Sequence, residues 1–458
     1  MLAVILLLVP GVRADINVPG NYSTIQAAID AAQPGDIIHL AAGRYAETLS
    51  INKSLSVVGS GSSNCVVYCQ TNIPIVSVNG PGKVILSNFE IEGGNYMGAE
   101  WYNGLSPLGI AATNADLVLD SMVMNQIINY FVAVTGGSLA ATNVALWTRN
   151  ILAGCDVGFA LDGCTATITG LTQDAGHLDH TININGRMTN FANVAVDSCR
   201  IRTSSLSYGN CIRTYVNSKV TITNCYLYRG AGEAVPAYPA FNHSGISVNG
   251  YSNTVIIAGN IISNVPWAMY CYGSLGGNHL LVESNNIINS PIGGIIWDTM
   301  AYTGIDLGGG NLGSRGGNVF SQSSAPAAGF CGDVVNTNSN GFATASIFAL
   351  HNTWSNPVDK ESVIYDKLDK PNLGRVITDD LMIKSASQNA AGRPVISWNE
   401  RGAGESYTVE TLSDLATGIW TNAPGAWPVT NSGLNDMCWT NPATATSNMF
   451  FRIRSVVP

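Results

Sequence analysis

The ionisable side chains of this sequence concentrate in one stretch, residues 156–213. Only 11% of the 458 residues are charged, and the formal net charge is −9. A local concentration of carboxylates, arginines and a histidine is therefore informative. The candidate catalytic and cation-binding side chains in this stretch are Asp156, Asp162, Asp179, His180 and Arg213. Such residue types indicate acid–base chemistry or the binding of a hard cation.

Two reactions fit these residues. In β-elimination, Arg213 or His180 is the candidate base, and Asp156, Asp162 and Asp179 are candidate calcium ligands. In glycoside hydrolysis, two carboxylates lie about 5 to 9.5 Å apart across the scissile bond. Asp162 and Asp179 are the candidate pair, because neighbouring strands lie about 4.8 Å apart. A third interpretation is structural: the same residues satisfy turns and solvate the surface.

Candidate ligand-binding residues follow from strand alternation, which points every second side chain outward. Stacked strands would then form an outward ledge that runs from Asp162 through Arg213 to Asn249. The predicted substrate-binding residues are Asn183, Asn185, Arg187, Arg202, Tyr215 and Asn249. Polar and aromatic side chains in a shallow groove suit an extended polysaccharide, which offers hydroxyls for hydrogen bonds and ring faces for stacking.

The elements that must position these residues are short strands in a degenerate repeat. Each copy has three alternating positions that are mainly apolar, a small polar residue and then a short apolar pair, as in Val84–Phe89, Leu117–Met122 and Val194–Cys199. Successive copies are separated by roughly 22 to 35 residues, as in solenoids. The period of two indicates strands. A second strand follows in most copies, often opening with Gly, as at Gly109 and Gly158.

The sixth position of the repeat predicts columns of stacked side chains along a solenoid. Cys199 and Cys225 would stack in one part of the chain. An asparagine ladder would form in another, where the predicted members are Asn260, Asn286, Asn318 and Asn352. One coil cannot bury its apolar positions alone, but stacked coils share a continuous core. We therefore expect a solenoid of parallel strands with Gly and Asn at its corners.

Composition excludes several classes of protein. The chain is acidic, which argues against a nucleic-acid partner, since that needs a basic stripe. Its 46% hydrophobic content is too high for a disordered chain. The apolar run from Leu2 to Val12, followed by Arg13 and Ala14, predicts a signal peptide over residues 1–14. No other apolar run approaches the length of a membrane span. We therefore expect a protein that is secreted or displayed at a bacterial cell surface, with no transmembrane segment.

The segment from Ile16 to Gly61 resembles the amino-terminal cap and first coils of the pectate-lyase-like superfamily of right-handed parallel β-helices. The matching elements are Val18–Tyr22, Thr24–Ile29, Pro34–Asp36, Gly43–Glu47 and Lys53–Leu55. A closing coil resembles the same group at Asn352–Trp354, Ile364–Asp366 and Leu373–Val376. The resemblance covers roughly residues 16–382. It implies an all-β fold with an N-terminal helical cap.

The same resemblance does not select an activity, because one fold hosts many functions. Pectin methylesterases share the Gly-x-Tyr-x-Glu element at Gly43–Glu47, yet their Asp-Phe-Ile-Phe-Gly sequence is absent. Polygalacturonases pair two aspartates, and the one Asp-Asp of this chain, Asp379-Asp380, lies near the end of the predicted solenoid.

The carboxy-terminal part has a different pattern. From about Gln388 onward, short alternating segments rich in Trp predict a small antiparallel β-sandwich that resembles fibronectin-type-III-like modules. Ser385–Gly392 is the predicted linker, and the tryptophans are predicted core residues. The domains are therefore a signal peptide (1–14), a right-handed parallel β-helix (15–384) and a small β-sandwich (385–458).

Two hypotheses for function remain open. The first is an exported β-helix protein that binds or cleaves an extracellular polysaccharide, as a lyase or a glycoside hydrolase, with calcium as a candidate cofactor. The second is a non-catalytic surface or matrix protein that binds glycans or mediates adhesion. The charges at 156–213 favour the first hypothesis, and the absence of a recognisable catalytic motif favours the second.

Overall fold

The computed structural model describes residues 13–69, 73–93, 108–127, 130–147, 157–174, 178–203, 209–230, 243–273, 277–290, 293–299, 303–321, 332–337, 347–366, 369, 373–378, 383–398, 406–413, 419–425, 427–430, 437–442 and 449–456. The chain divides into two compact units, Met1–Ile246 and Ser247–Pro458. Within the described ranges, no helix has the length and apolar character that crossing a bilayer requires.

Short strands make up nearly all of the regular secondary structure described in the first unit. Besides helix α1 (Ile25–Ala31), they are β1 (Asp15–Val18), β2 (Ile37–Leu40), β3 (Gly43–Ala46), β4 (Leu49–Ile51), β5 (Leu55–Gly59), β6 (Cys65–Tyr68), β7 (Val76–Asn79), β8 (Lys83–Ser87), β9 (Glu90–Glu92), β10 (Ile110–Thr113), β11 (Asp116–Asp120), β12 (Val123–Asn125), β13 (Tyr130–Thr135), β14 (Ser138–Thr142), β15 (Ala145–Trp147), β16 (Val157–Asp162), β17 (Thr165–Thr169), β18 (Thr172–Gln173), β19 (His180–Asn185), β20 (Ala192–Asp197), β21 (Arg200–Arg202), β22 (Gly209–Thr214), β23 (Ser218–Thr223) and β24 (Tyr226–Tyr228).

These strands form three parallel sheets, and most coils contribute one strand to each. Sheet A has the order β1-β2-β5-β8-β11-β14-β17-β20-β23 in this unit, sheet B has β3-β6-β9-β12-β15-β18-β21-β24, and sheet C has β4-β7-β10-β13-β16-β19-β22. Alternation separates the core from the surface: in β11, Leu117 and Leu119 are buried, while Asp116 and Asp120 are not. The predicted solenoid of parallel strands is confirmed.

One corner explains the fifth position of the repeat. Between sheet A and sheet B, the chain turns on a single residue with positive φ, such as Asn88 (φ 59°), Ser121 (φ 53°) or Asn224 (φ 53°). Small polar side chains tolerate this left-handed conformation better than branched ones. The next residue, such as Phe89 or Met122, then points into the core and is fully buried.

The Gly43–Glu47 element closes the amino-terminal end of the first unit. The Glu47 carboxylate accepts hydrogen bonds from the backbone N–H groups of Ile25 and Gln26, both at 3.0 Å, and so caps helix α1. The Tyr45 hydroxyl donates to the Ala41 carbonyl at 2.9 Å. Both side chains of this element thus make structural contacts in the cap.

The second unit repeats the three-sheet order. Its strands are β25 (His243–Asn249), which begins in the first unit, then β26 (Thr254–Ala258), β27 (Ile261–Ser263), β28 (Trp267–Gly273), β29 (Asn278–Glu283), β30 (Asn286–Ile288), β31 (Gly293–Thr299), β32 (Thr303–Gly308), β33 (Val319–Ser321), β34 (Gly332–Asn336), β35 (Ile347–Ala349), a 3₁₀ helix at Lys360–Val363, β36 (Ile364–Tyr365) and β37 (Val376–Ile377).

An asparagine ladder runs along the second unit, with one member different from the predicted set. The Nδ2 group of each asparagine donates to the Oδ1 atom of the next, at 2.9 to 3.0 Å, in the order Asn260, Asn285, Asn318 and Asn352. Asn286 is not a member. It begins β30 and pairs with Ile261, so that Asn285 falls at the corner. At this coil the predicted ladder residue, Asn286, therefore lies one position after the observed one, Asn285.

Small antiparallel sheets follow at the carboxyl end of the second unit. One contains β38 (Ile383–Gln388), β39 (Pro394–Trp398) and β43 (Met437–Thr440), and the other contains β40 (Ser406–Leu412), β41 (Thr421–Asn422), β42 (Val429–Thr430) and β44 (Phe450–Val456). Trp398 and Trp439 are buried in their shared core, as predicted. The predicted linker Ser385–Gly392 is wrong, because it forms the end of β38 and a tight turn into β39.

Candidate functional site

The outward face of sheet C in the first unit collects most of the predicted site residues. Strand register places Asn183 of β19 beside Arg213 of β22, and Asp162 of β16 beside Asn185 of β19. The alternate residues Ile182 and Ile184 are fully buried in the core. We call the outward residues Asp162, Asn183, Asn185, Arg213 and Tyr215 the sheet C ledge.

Arg213 is held at the amino end of this ledge by a neighbouring histidine. One terminal guanidinium nitrogen of Arg213 lies 3.0 Å from Nε2 of His180. On the other side of the ring, Nδ1 of His180 lies 3.2 Å from the amide nitrogen of Asn210. The Asn210 oxygen accepts from the Ser244 hydroxyl at 2.5 Å and from its N–H at 3.1 Å, which fixes the amide orientation.

His180 is therefore a neutral imidazole. Burial, and then the charge of the neighbouring Arg213, lower the pKa of His180 from 6.5 to about 4. Both ring nitrogens face nitrogen donors, so a protonated ring would have no acceptor on either side. Because Nε2 takes a hydrogen bond from Arg213, His180 orients the guanidinium.

Arg213 carries a partly buried positive charge. Burial lowers the pKa of its guanidinium, and Nε is buried with no hydrogen-bond partner. Its guanidinium carbon lies 5.1 Å from the centre of the Tyr215 ring, a cation–π contact. Among the described residues, no carboxylate is paired with this charge. Burying an unpaired charge is costly, which makes Arg213 a strong site for an incoming anion.

Two amide oxygens on the ledge also lack partners among the described residues. The Oδ1 atoms of Asn183 and Asn185 are buried and accept no hydrogen bond from any described residue. An unsatisfied buried acceptor costs about 1 to 3 kcal/mol. The terminal torsion of an asparagine is soft, so each amide can rotate to meet a donor. Both residues thus offer hydrogen-bonding capacity at the surface of the sheet.

Asp162 lies at the carboxyl end of the ledge in an ion pair. Nε of Arg187 donates to both carboxylate oxygens of Asp162, at 2.9 and 3.0 Å, and the terminal nitrogen of Arg187 makes a third contact. Both acceptor atoms of Asp162 are therefore engaged by a single guanidinium. Tyr215 lies two coils further on, beside Asn185 in the register, and is 45% exposed.

The structure separates the two aspartates that were predicted to act together. Asp162 is in register with Asn185, whereas Asp179 immediately precedes His180. Six residues of nearly extended chain separate Asp179 from Asn185, roughly 20 Å, which is too far for a hydrolytic pair or for shared calcium coordination. The prediction that Asp162 and Asp179 form one site is therefore wrong. Asp156, the third predicted calcium ligand, lies outside the described residues.

No alternative metal site is evident within the described ranges, where no three His, Cys, Asp or Glu side chains converge on one point. The remaining predicted residues lie elsewhere. Arg202 is on sheet B, where its guanidinium donates to the Asp174 carbonyl at 3.0 Å. Asn249 belongs to the second unit, and its Oδ1 atom accepts from the Ser247 hydroxyl at 3.0 Å.

Sequence reasoning missed Asn210, which lies between His180 and Ser244. It lies in β22 opposite His180 in the register. An Asn in the second position of a predicted strand looks like a turn residue, so only the pairing of β19 with β22 could have identified it.

Comparisons with known proteins support the fold. No protein-family model and no curated protein matches this sequence. Among solved structures, the catalytic domain of a GH87 α-1,3-glucanase in complex with nigerose is 12% identical, with a TM-score of 0.50, over 81% of this chain and 68% of that chain. The same domain in complex with tetrasaccharides aligns over 75% of this chain and 64% of that chain, with a TM-score of 0.48.

A third similar structure is the A-module of the mannuronan C-5 epimerase AlgE6 from Azotobacter vinelandii. It is 14% identical, with a TM-score of 0.33, over 77% of this chain and 92% of that chain. At 12% identity, the TM-score of 0.50 to the glucanase domain with nigerose establishes a shared fold alone. The chain spans 64% to 68% of the length of the glucanase domains.

Proposed function

We propose that this protein binds an acidic polysaccharide along the sheet C ledge, with Arg213 as the group that recognises a sugar carboxylate. The observation that carries the proposal is the partly buried guanidinium of Arg213, whose Nε has no partner. Guanidinium–carboxylate pairs are strong and directional. A bound carboxylate would offset the cost of burying this charge.

The surrounding residues fit a sugar chain that runs across several coils. The Asn183 and Asn185 amides are partners for hydroxyl groups, and the exposed Tyr215 ring offers a stacking face. Coils are spaced about 4.8 Å apart, so contacts recur along an extended ligand. The glucanase structures with the same fold contain nigerose and tetrasaccharides, which is in keeping with a carbohydrate ligand.

A second candidate is cleavage of the bound chain by β-elimination, and the neutral His180 favours it. Neutralising a uronate carboxylate on Arg213 would acidify the adjacent C–H bond. His180 remains unprotonated above a pKa of about 4, so its Nε2 lone pair could accept that proton once the ligand has drawn the guanidinium away. The C–H electron pair would form the C=C bond of the product while the C–O bond to the leaving sugar breaks, and that oxygen would take a proton from water. Binding without cleavage remains the simpler function of the same site.

A polysaccharide panel tests both candidates. Polygalacturonate and alginate should slow the protein in affinity gels, whereas any retardation by neutral glucan or xylan should be the same in the wild type and in Arg213→Met. Arg213→Met should weaken acidic binding by about 10- to 100-fold, the value of a charge-assisted hydrogen bond. Arg315→Met removes the same charge from an exposed side chain and should bind normally. Equal binding by both variants would refute the proposal.

The cleavage candidate has its own readout. Unsaturated products absorb in the ultraviolet, whereas hydrolysis yields reducing ends without that absorbance. Product formation that is lost in His180→Gln would support β-elimination. If polygalacturonate and alginate bind but yield no product, with or without calcium, the function is binding alone.

We further propose that the protein acts outside the cell, because residues 2–14 have the pattern of a signal peptide. The carboxy-terminal sheets would then be an accessory module of the fibronectin-type-III kind. Amino-terminal sequencing of protein from the culture medium should give a start near Asp15. Retention of the full-length chain in the cytoplasm would contradict export.

A further inference from the structure

The outward face of sheet B in the first unit carries a second row of polar and aromatic side chains. Register places Asn125 of β12 beside Trp147 of β15, and Arg202 of β21 beside Tyr228 of β24. Asp174 follows β18 between them. We call these five residues the sheet B row; it belongs to a different sheet from the ledge.

The end of this row is rigid because an arginine and two tyrosines pack together. The rings of Tyr226 and Tyr228 stack with centres 4.7 Å apart and an interplanar angle of 4°. The Arg200 guanidinium lies 4.6 Å from the Tyr228 ring centre and donates to its hydroxyl at 3.0 Å. The Tyr228 hydroxyl in turn donates to Asp174. Tyr228 is only 8% exposed, so this packed cluster supports the row from below. A preorganised surface loses little entropy when a ligand binds.

Trp147 is the exposed aromatic member of the row. Its side chain is 48% exposed, although tryptophan is usually well buried. Beside it in the register, the Oδ1 atom of Asn125 is buried without a described partner, while the amide nitrogen of Asn125 donates to Glu90 at 3.0 Å. An exposed indole next to an unsatisfied acceptor is a combination that folding alone does not require.

We propose that the sheet B row is a second glycan-binding surface, and that it takes a neutral oligosaccharide of pyranose rings. The C–H face of a pyranose packs on an aromatic ring, whose face is electron-rich, and its hydroxyls can bond to Arg202 and Asn125. From Asn125 to Arg202 there are three coil steps, roughly 14 Å, so the ligand spans several sugar residues.

Charge selects a neutral chain over an acidic one. Asp174 lies between Trp147 and Arg202 and is exposed. Glu92, in register with Asn125 on the preceding coil, is paired with Arg44 at 3.0 Å. Among the described residues of this face, the positive charges of Arg44 and Arg202 are thus matched by neighbouring carboxylates, which leaves no excess of positive charge to hold a polyanion. The sheet C ledge has the opposite character, since Arg213 dominates it, so the two faces should prefer different glycans.

Calorimetry with neutral hexasaccharides tests this inference. The probes are hexamers of β-1,4-glucose, β-1,4-xylose, β-1,4-mannose and α-1,3-glucose. At least one should bind the wild type, and Trp147→Ala should weaken that binding at least 10-fold, with partial recovery in Trp147→Phe. Tyr272→Ala, which removes a partly exposed tyrosine from the second unit, is the matched control and should bind as the wild type does.

Arg213→Met separates this inference from the proposed function. It should leave neutral binding unchanged, whatever its effect on acidic polysaccharides. Circular dichroism of Trp147→Ala confirms that the variant is folded. If none of the four hexamers binds, or if folded Trp147→Ala binds as tightly as the control, the sheet B row is not a glycan site.

Discussion

Acidification should destabilise this protein through His180, because the folded state holds its ring neutral between two nitrogen donors. Burial and Arg213 lower the pKa of His180 to about 4, from 6.5 for an ordinary histidine. Between these two values the unfolded chain binds a proton that the folded chain rejects. Stability therefore rises with pH in this window and is lost as the pH falls from about 6.5 towards 4.

The magnitude follows from the shift. Each pKa unit corresponds to about 1.4 kcal/mol, so lowering the pH from about 7 to about 5 should cost about 2 kcal/mol of unfolding free energy through this residue alone. Arg213→Met removes the second cause of the shift but keeps the burial. We expect the pKa of His180 in that variant to rise while staying below 6.5.

Histidine-labelled protein gives the direct assay. Carbon-13 spectra between pH 3.5 and 8 should contain one histidine resonance that is absent in His180→Gln. Its chemical shift should remain that of a neutral imidazole down to about pH 4. Urea unfolding should show that the wild type loses about 2 kcal/mol more than His180→Gln between pH 7 and pH 5. Titration of the His180 resonance near pH 6.5 would refute the account of a donor-flanked, buried ring.

Three further predictions concern the scaffold. Glu47→Ala leaves two N–H groups of helix α1 without an acceptor. Their hydrogen exchange should become faster, because the local free energy of opening falls by about 1 kcal/mol, the value of a lost cap. Unchanged exchange rates would contradict the capping role. Asn285→Ala breaks the ladder and should cost about 3 kcal/mol in urea unfolding, whereas Asn286→Ala should cost less than 1 kcal/mol; equal costs would contradict the assigned frame. Gly186→Ala would drive its Cβ into the Asn217 carbonyl and should lower the melting temperature of the first unit by several degrees; an unchanged melting curve would contradict this close approach.

The fold was predictable because each coil repeats the same physical requirement. An alternating strand, one residue able to adopt positive φ and a following core residue recur in every copy, as at Leu119, Ser121 and Met122. The position of the ladder residue was predicted wrongly only at one coil, where repeated residues make the alignment of the repeat ambiguous. Leu280-Leu281 and Asn285-Asn286 are doublets, so two frames fit equally well, and only the pairing of Asn286 with Ile261 distinguishes them.

The site was less predictable, because distances along a strand depend on register. Asp162 and Asp179 lie on adjacent coils, which suggested proximity, but they are at opposite ends of their strands. Arg213 contacts His180 although its partner in the strand register is Asn183, three residues further along β19. No local sequence pattern predicts such an offset. The sheet B row was visible in principle, since Arg200-Ile201-Arg202 and Tyr226-Leu227-Tyr228 are equivalent outward pairs on consecutive coils.

The central claim is that a partly buried, unpaired Arg213 recognises a sugar carboxylate. The most direct measurement is the calorimetric affinity for a uronate oligomer and for the same oligomer with its carboxylates reduced to alcohols, in the wild type and in Arg213→Met. The account predicts that the wild type prefers the uronate by at least 10-fold and that Arg213→Met loses this preference. A preference that persists in Arg213→Met, or affinities that do not differ in the wild type, would contradict it.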